Sequence, residues 1–242
     1  PELDPKLIDD VIVGCANPEG EQGLQIGRLI AARALGNEVP GITINRYCAS
    51  GLESIAMAVG KIKAGFGDIF LAGGTESMSK IPMTGYKLSP SYKAAMDNLN
   101  YHVSMGKTAE AVAKKYEVTR EQADAFSVRS HEKAAAGIDA GHFDGQIVPV
   151  EVEDIYVKDG KMVKSSHTVS MDEGVRRGTS MEGLARLRTV FQQGGVVTAG
   201  NSSQTSDGAA FTLVMSERMV KELGLEPFAR LASCSVGGVD PL

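Results

Sequence analysis

The sequence predicts an α/β protein, on three observations: short apolar runs closed by glycine, apolar residues at helical spacing between those runs, and a change of texture midway along the chain. Val11 to Gly14 is the first such run, and a polar turn and a helical stretch from about Gln22 to Leu35, stopped at Gly36, follow it. Gly41-Ile42-Thr43-Ile44-Asn45 reads as a second strand. After it Leu52, Ile55, Ala56, Val59 and Ile62 fall on one helical face, ended by Gly65 and Gly67. Asp68-Ile69-Phe70-Leu71-Ala72-Gly73-Gly74 has the unbroken apolarity of a buried strand. Strand, helix and strand within about thirty-five residues imply a right-handed parallel crossover.

From about Lys80 to Ala199 the pattern changes to amphipathic helices and polar connections, the texture of an inserted segment. Thr119 and Gln122 have capping-box spacing ahead of a helix containing Ala123, Phe126 and Ser130. Asp159-Gly160, between Ile155, Val157, Met162 and Val163, suits a two-residue hairpin turn. Apolar residues return at Gly208 to Met215, and Ser216 is placed to cap a helix that ends at Gly224. A last strand is expected over roughly Phe228 to Val236. No fixed-period repeat or low-complexity tract occurs.

The 242 residues carry 25 Lys and Arg against 30 Asp and Glu, a net charge of -5. That balance gives the whole molecule no pull toward nucleic acid or an anionic membrane surface, so neither is an expected partner. Cys15, Cys48 and Cys234 are too few and too scattered for a disulfide framework, and they lack the paired spacing of a structural metal site. No apolar run reaches the length of a membrane span, and no charged-then-apolar leader is visible. The expected setting is a reducing cytoplasm, with no metal.

Cys48 carries the chemistry. It lies between the strand ending at Asn45 and the helix starting near Gly51, which places its sulfur at a strand-to-helix elbow beside unpaired helix amides. A helix amino terminus favours the thiolate, and the same amides can stabilise the oxyanion formed when a thiolate attacks a carbonyl. The competing reading of a lone cysteine is an inert buried thiol.

Asn45-Arg46-Tyr47-Cys48-Ala49-Ser50-Gly51-Leu52 resembles the nucleophile motif of thiolases, and Ala72-Gly73-Gly74-Thr75-Glu76-Ser77-Met78-Ser79 resembles the glycine-rich turn that follows it in that family. The resemblance continues through Met105-Gly106-Lys107-Thr108-Ala109-Glu110, Leu187-Arg188, Thr198-Ala199-Gly200-Asn201-Ser202-Ser203 and Ser206-Asp207-Gly208-Ala209-Ala210, in family order over essentially the whole chain. It implies a layered α-β-α fold with an inserted loop domain and with the carboxy-terminal half missing. Residues 1–78 and 206–224 would form the domain bearing the nucleophile, 79–205 the loop domain over coenzyme A, and 225–242 the start of the carboxy-terminal domain.

The resemblance further implies an acyltransferase in which Cys48 is acylated by a substrate thioester and the acyl-enzyme is resolved by the second thioester partner. Coenzyme A is then a substrate, with no permanently bound cofactor. By motif position Met105, Arg176 and Ser203 would contact it, Arg176 toward the nucleotide end and the other two along the pantetheine channel. Read without the resemblance, Arg176 is a solvated charge beside Arg177, Ser203 a turn residue and Met105 a core filler. Tyr47, Met83-Thr84-Gly85 and Lys87 to Pro90 resemble the fatty-acid-degrading members more than the short-chain biosynthetic ones. A homodimer or homotetramer is the expected assembly.

Three further thiolase motifs, Asn-Glu-Ala-Phe, Gly-His-Pro and a second Cys-x-Gly, do not occur here. Gly141-His142-Phe143 lies in the inserted segment and is not assigned the histidine role; Cys234, followed by Ser235 and Val236, reads as a strand thiol. His102, His131 and His167 read as surface groups. Without the histidine base and the second cysteine, the chain alone is expected to turn over poorly. Three alternatives stay open: a biosynthetic acetoacetyl-CoA thiolase, a decarboxylating ketoacyl synthase, and a non-catalytic coenzyme A-binding or scaffolding module.

Overall fold

In a computed structural model, residues 3–242 are described, and they form two compact units. The first runs up to Ser91 and includes Thr205–Val239; the second comprises Tyr92–Gln204 and Asp240–Leu242.

The first unit is built on β1 (Asp10–Gly14), α1 (Ile26–Ala34), β2 (Gly41–Ile44), α2 (Ser50–Lys63) and β3 (Ile69–Glu76). Strand alternation in β1 sets the layers. Val11 and Val13 pack with Ala31 of α1 and with Ile8, Val39 and Ile69 in one buried cluster. Ile12 packs with Ala58 of α2 and with Phe70 and Ala72 in another. One helix therefore covers each face. All three of these β1 side chains are fully buried, each contributing about 1.5–3 kcal/mol of apolar transfer.

Further along the chain, β6 (Gly208–Met215) completes the sheet in the order β2-β1-β3-β6, with β1 parallel to both its neighbours and β6 antiparallel to β3 along the whole of its length. Because β1 lies between β2 and β3, the strand-helix-strand crossover steps over one strand. Ser216 caps α7 (Glu217–Glu222), accepting from the Met219 amide at 3.3 Å, and Gly224 follows at φ 63°. Met219 and Leu223 pack on the α1 side.

Two sequence expectations are corrected here. The helix expected from Gln22 begins at Ile26, because Gly20–Gln22 is a 3-10 turn and Leu24 and Gln25 adopt left-handed φ values of 51° and 63°. That break lets the Gln25 Oε1 accept from the Thr43 amide at 2.9 Å and leaves Gln22 buried. The strand expected over Phe228 to Val236 does not form. None of the described strands pairs with it, and a β-strand has no hydrogen-bond ladder of its own.

The second unit holds α3 (Tyr92–Asp97), α4 (Met105–Lys115), α5 (Arg120–Asp139), the antiparallel pair β4 (Val150–Lys158) and β5 (Lys161–Val169), and α6 (Met181–Ala185). α5 opens on the expected capping box, with the Thr119 amide donating to Gln122 Oε1 at 2.9 Å and the Gln122 amide to Thr119 Oγ1 at 3.2 Å. Asp159 and Gly160 turn the hairpin with φ of 51° and 72°, the left-handed pair that a tight two-residue turn needs.

Buried polar groups join these pieces. Glu110 accepts from the amides of Val196 and Val197, both at 2.9 Å. Asp124 pairs with Arg120 at 2.7 Å and accepts from Asn201 Nδ2 at 2.9 Å. Arg120 donates onward to the carbonyls of Leu184 and Leu187 at 2.6 and 3.2 Å.

Candidate active site

Cys48 sits on a turn, Asn45 to Ser50, whose backbone is fixed by its own side chains. Asn45 Oδ1 accepts from the Tyr47 amide at 2.8 Å. The Ser50 hydroxyl accepts from the Arg46 amide at 2.8 Å and donates to the Tyr47 carbonyl at 2.7 Å. The Ala49 and Ser50 amides close on the carbonyls of Arg46 and Tyr47 at 3.1 and 3.0 Å. These bonds hold Tyr47 at φ 45°, a left-handed conformation that a bulky residue rarely adopts. Arg46 in turn grips Glu53, in the first turn of α2, through two bonds of 2.8 and 3.1 Å.

The result is an exposed cysteine two residues ahead of α2. The amides of Gly51 and Leu52 have no acceptor among the described residues. Free amides at a helix amino terminus carry partial positive charge, and an oxyanion formed nearby is the species they would stabilise.

Beneath the elbow, Gly14 closes β1 against Ser50. Beyond Gly14 the chain passes over Glu76, at the end of β3. This carboxylate accepts from the Ala16 amide at 2.7 Å, the Asn17 amide at 3.4 Å, Gln22 Nε2 at 2.7 Å and Cys15 Sγ at 3.8 Å. Gln22 in turn accepts from the Ser77 amide. Cys15 is buried, and its pKa is pushed up to about 11, first by burial and then by the Glu76 charge, so at neutral pH it is a protonated thiol. Asp207 binds the turn that leaves β3, accepting from the Ser79 amide at 2.8 Å and hydroxyl at 2.5 Å and from the Ser77 hydroxyl at 3.5 Å. The Ser79 bonds hold the Asp207 carboxyl below the usual range.

The other three sequence-selected residues lie in the second unit. Met105 is the exposed first residue of α4, capped by Ser104. Arg176 sits on a loop anchored to α5: its amide donates to His131 Nδ1 at 3.2 Å, and its carbonyl accepts from the Thr179 hydroxyl at 2.7 Å. Arg177 doubles the anchor through two bonds to Asp139, of 2.9 and 2.7 Å, which lower the Asp139 pKa. His131, Glu132, Arg176 and Thr179 line an open cavity of about 290 Å³. Ser203 is exposed beside Gln204, whose side chain packs on Gly174 and so brings that loop next to the Ser203 stretch. Among the described residues no hydrogen bond links Met105, Arg176 and Ser203 to one another.

Two minor expectations change. His131 is half-buried and accepts the Arg176 amide, so it is a loop anchor instead of a surface group. Cys234 is exposed on a segment without regular structure and is no strand thiol. Sequence reasoning gave no role to Asn45, Ser50, Glu76 or Asp207, although each stands in a motif singled out above. Their partners lie up to 130 positions away along the chain, so only their polarity inside otherwise apolar or glycine-rich stretches could have marked them.

Residues 1–218 match the family model described as "Thiolase, N-terminal domain". The chain is 51% identical over 236 residues to a 3-ketoacyl-CoA thiolase of Bacillus subtilis (strain 168), covering 97% of this chain and 60% of that protein. It is 42% identical over 254 residues to a probable acetyl-CoA acyltransferase of Staphylococcus aureus (strain COL), covering 99% and 62%. Among solved structures, the Bacillus anthracis acetyl-CoA acetyltransferase superposes with a TM-score of 0.70 at 34% identity, over 93% of this chain and 58% of that one. The chain thus spans about 60% of the length of the curated relatives it matches.

Proposed function

We infer the function from one premise, that this chain belongs to the thiolase family, whose amino-terminal domain it carries. We propose that the full-length protein is a thiolase that cleaves a 3-oxoacyl-CoA with coenzyme A. The Cys48 sulfur attacks the 3-oxo carbonyl of the substrate. The bond between the second and third carbons then breaks, leaving the shortened acyl group on sulfur and releasing acetyl-CoA once the departing carbanion takes a proton. The thiol of coenzyme A next attacks the acyl-enzyme, forming the shortened acyl-CoA and restoring Cys48.

The observation that carries this reading is the exposed Cys48 on its locked turn, with the Gly51 and Leu52 amides unpartnered beside it. In the same proposal Met105, Arg176 and Ser203 contact coenzyme A. The loop anchored by His131 and Asp139 holds Arg176 ready for an anionic ligand. The histidine base and the second cysteine required by the resemblance occur in no matching motif of these 242 residues, so the chain alone is proposed to turn over poorly. Fatty acid β-oxidation, a cytoplasmic setting and a homodimer or homotetramer complete the proposal. The biosynthetic reading is kept by one observation: the matched solved structure is named as an acetyl-CoA acetyltransferase.

The test is to incubate the full-length protein with acetyl-CoA or 3-oxoacyl-CoA, quench in acid and map the peptides. The expected adduct lies on Cys48 and vanishes in Cys48→Ala. No adduct, or an adduct on Cys234, overturns the reading. Comparing acetoacetyl-CoA with a long-chain 3-oxoacyl-CoA as thiolysis substrates separates the degradative from the biosynthetic assignment.

A further inference from the structure

We propose that Glu76 is a positioning residue for the Cys48 elbow, acting through Ala16 and Asn45; the proposal rests on Cys48 being the nucleophile. A continuous path of hydrogen bonds links the two. Glu76 Oε2 accepts from the Ala16 amide at 2.7 Å. The Ala16 carbonyl accepts from Asn45 Nδ2 at 2.8 Å. Asn45 Oδ1 accepts from the Tyr47 amide at 2.8 Å, next to Cys48. Asn45 is thus a two-ended strut, one end of its amide on the loop after β1 and the other on the elbow.

The other ties of the elbow to the fold are Ser50 seated on Gly14 and the grip of Arg46 on Glu53. Residues 45–49 are exposed, and Ser50 is the first buried residue after them. Apolar packing, which fixes most of a fold, does not reach this turn, so its conformation depends on polar contacts. The contacts within the turn set its shape; the Asn45 strut to Ala16, together with Ser50 seated on Gly14, sets where that shape sits relative to β1. The position of Ala16 depends in turn on Glu76, whose four donors converge from two chain segments: Cys15, Ala16 and Asn17 after β1, and Gln22 from the 3-10 turn.

An acceptor-only group is required at this point. Ionised glutamate offers oxygen to all four donors, whereas glutamine of the same shape must aim its NH2 at either the Ala16 amide or the Gln22 side-chain amide. In either orientation a donor meets a donor, the Ala16 peptide shifts, and Asn45 follows it. Misplacement of a reacting group by about 1 Å costs on the order of a hundredfold in rate, so a fraction of that displacement is readable.

The experiment uses the full-length protein and measures iodoacetamide alkylation of Cys48 relative to Cys234 in the same molecules by peptide mass spectrometry, with a thermal melt of each variant alongside. In the wild type Cys48 is expected to label faster than Cys234; equal rates sink the nucleophile reading on which the proposal stands. Glu76→Gln is expected to lower the Cys48 to Cys234 ratio about tenfold. Asn45→Ala is expected to lower it similarly, and the double variant to fall no further than Asn45→Ala, because the strut is already cut. A Glu76→Gln protein that melts lower but keeps the wild-type ratio has lost only stability, and the proposal fails. It fails equally if the two substitutions multiply. Should Glu76→Gln not fold, Glu76→Asp, which keeps the charge but withdraws it by one methylene, is read against Asn45→Ala in the same way.

Discussion

Gly14 and Ser50 are in such close contact that a Cβ built on the glycine would stand 2.5 Å from the serine Cβ and 3.0 Å from the serine carbonyl carbon. The last residue of β1 thereby serves as the seat of the nucleophile turn. Gly14→Ala must push Ser50 away or bend β1, and both are backbone movements. The expected cost is about 1–3 kcal/mol of stability, together with slower alkylation of Cys48. Thermal unfolding and a timed iodoacetamide reaction on the same samples check both.

Cys15 links stability to alkaline pH. Its pKa rises from 9.0 to about 11 on folding, so the folded state retains a proton that the unfolded chain gives up first. The stabilisation is full below about pH 9 and is lost as pH rises toward about 11. Denaturant unfolding at pH 8 and at pH 10.5 is expected to show a wild-type loss, on the order of 1 kcal/mol, that Cys15→Ala lacks. Equal pH dependence in the two proteins would contradict the assignment.

Asp124 is nearly inaccessible to solvent and neutralises Arg120 while accepting from Asn201. Asp124→Ala leaves a partly buried guanidinium and an amide without their acceptor, at an expected cost of about 3 kcal/mol. The loss is local to the second unit. Native-state hydrogen exchange is expected to report faster opening of α5 and of residues 196–201, with β1 and β3 unchanged.

Thr119→Ala removes one half of the capping box at the head of α5. The expected destabilisation is about 1 kcal/mol, and exchange should quicken at the first-turn amides of that helix. Thr119→Ser keeps the hydroxyl and is expected to restore most of the difference.

How much was legible in sequence depended on the range of the interactions. β1 and β3 were readable because their burial needs only a run such as Val11-Ile12-Val13 or Ile69-Phe70-Leu71. The Thr119 cap and the Asp159-Gly160 turn were readable because each is complete within about four residues. The elbow at Cys48 could be placed because strand, turn and helix follow one another directly. The break at Leu24 and Gln25 could not, since it answers to Thr43 on a neighbouring strand and to Glu76 through Gln22. Glu110 is buried in an otherwise amphipathic helix because it accepts from amides 86 and 87 residues further on, and no local pattern encodes that. The order in which β1 inserts between β2 and β3 is likewise a property of the assembled sheet.

β3 and β6 pair along the full length of β6, and Asp207 bonds to Ser79 across 128 positions of chain. To the sheet, therefore, everything between those residues is one very long hairpin connection, pinched shut at its neck. Closing such a connection costs an entropy that grows only logarithmically, about 0.6 kcal/mol for each doubling of its length. The length of the excursion therefore weighs little on the closing of the β3 and β6 pair, which Asp207 secures at the neck.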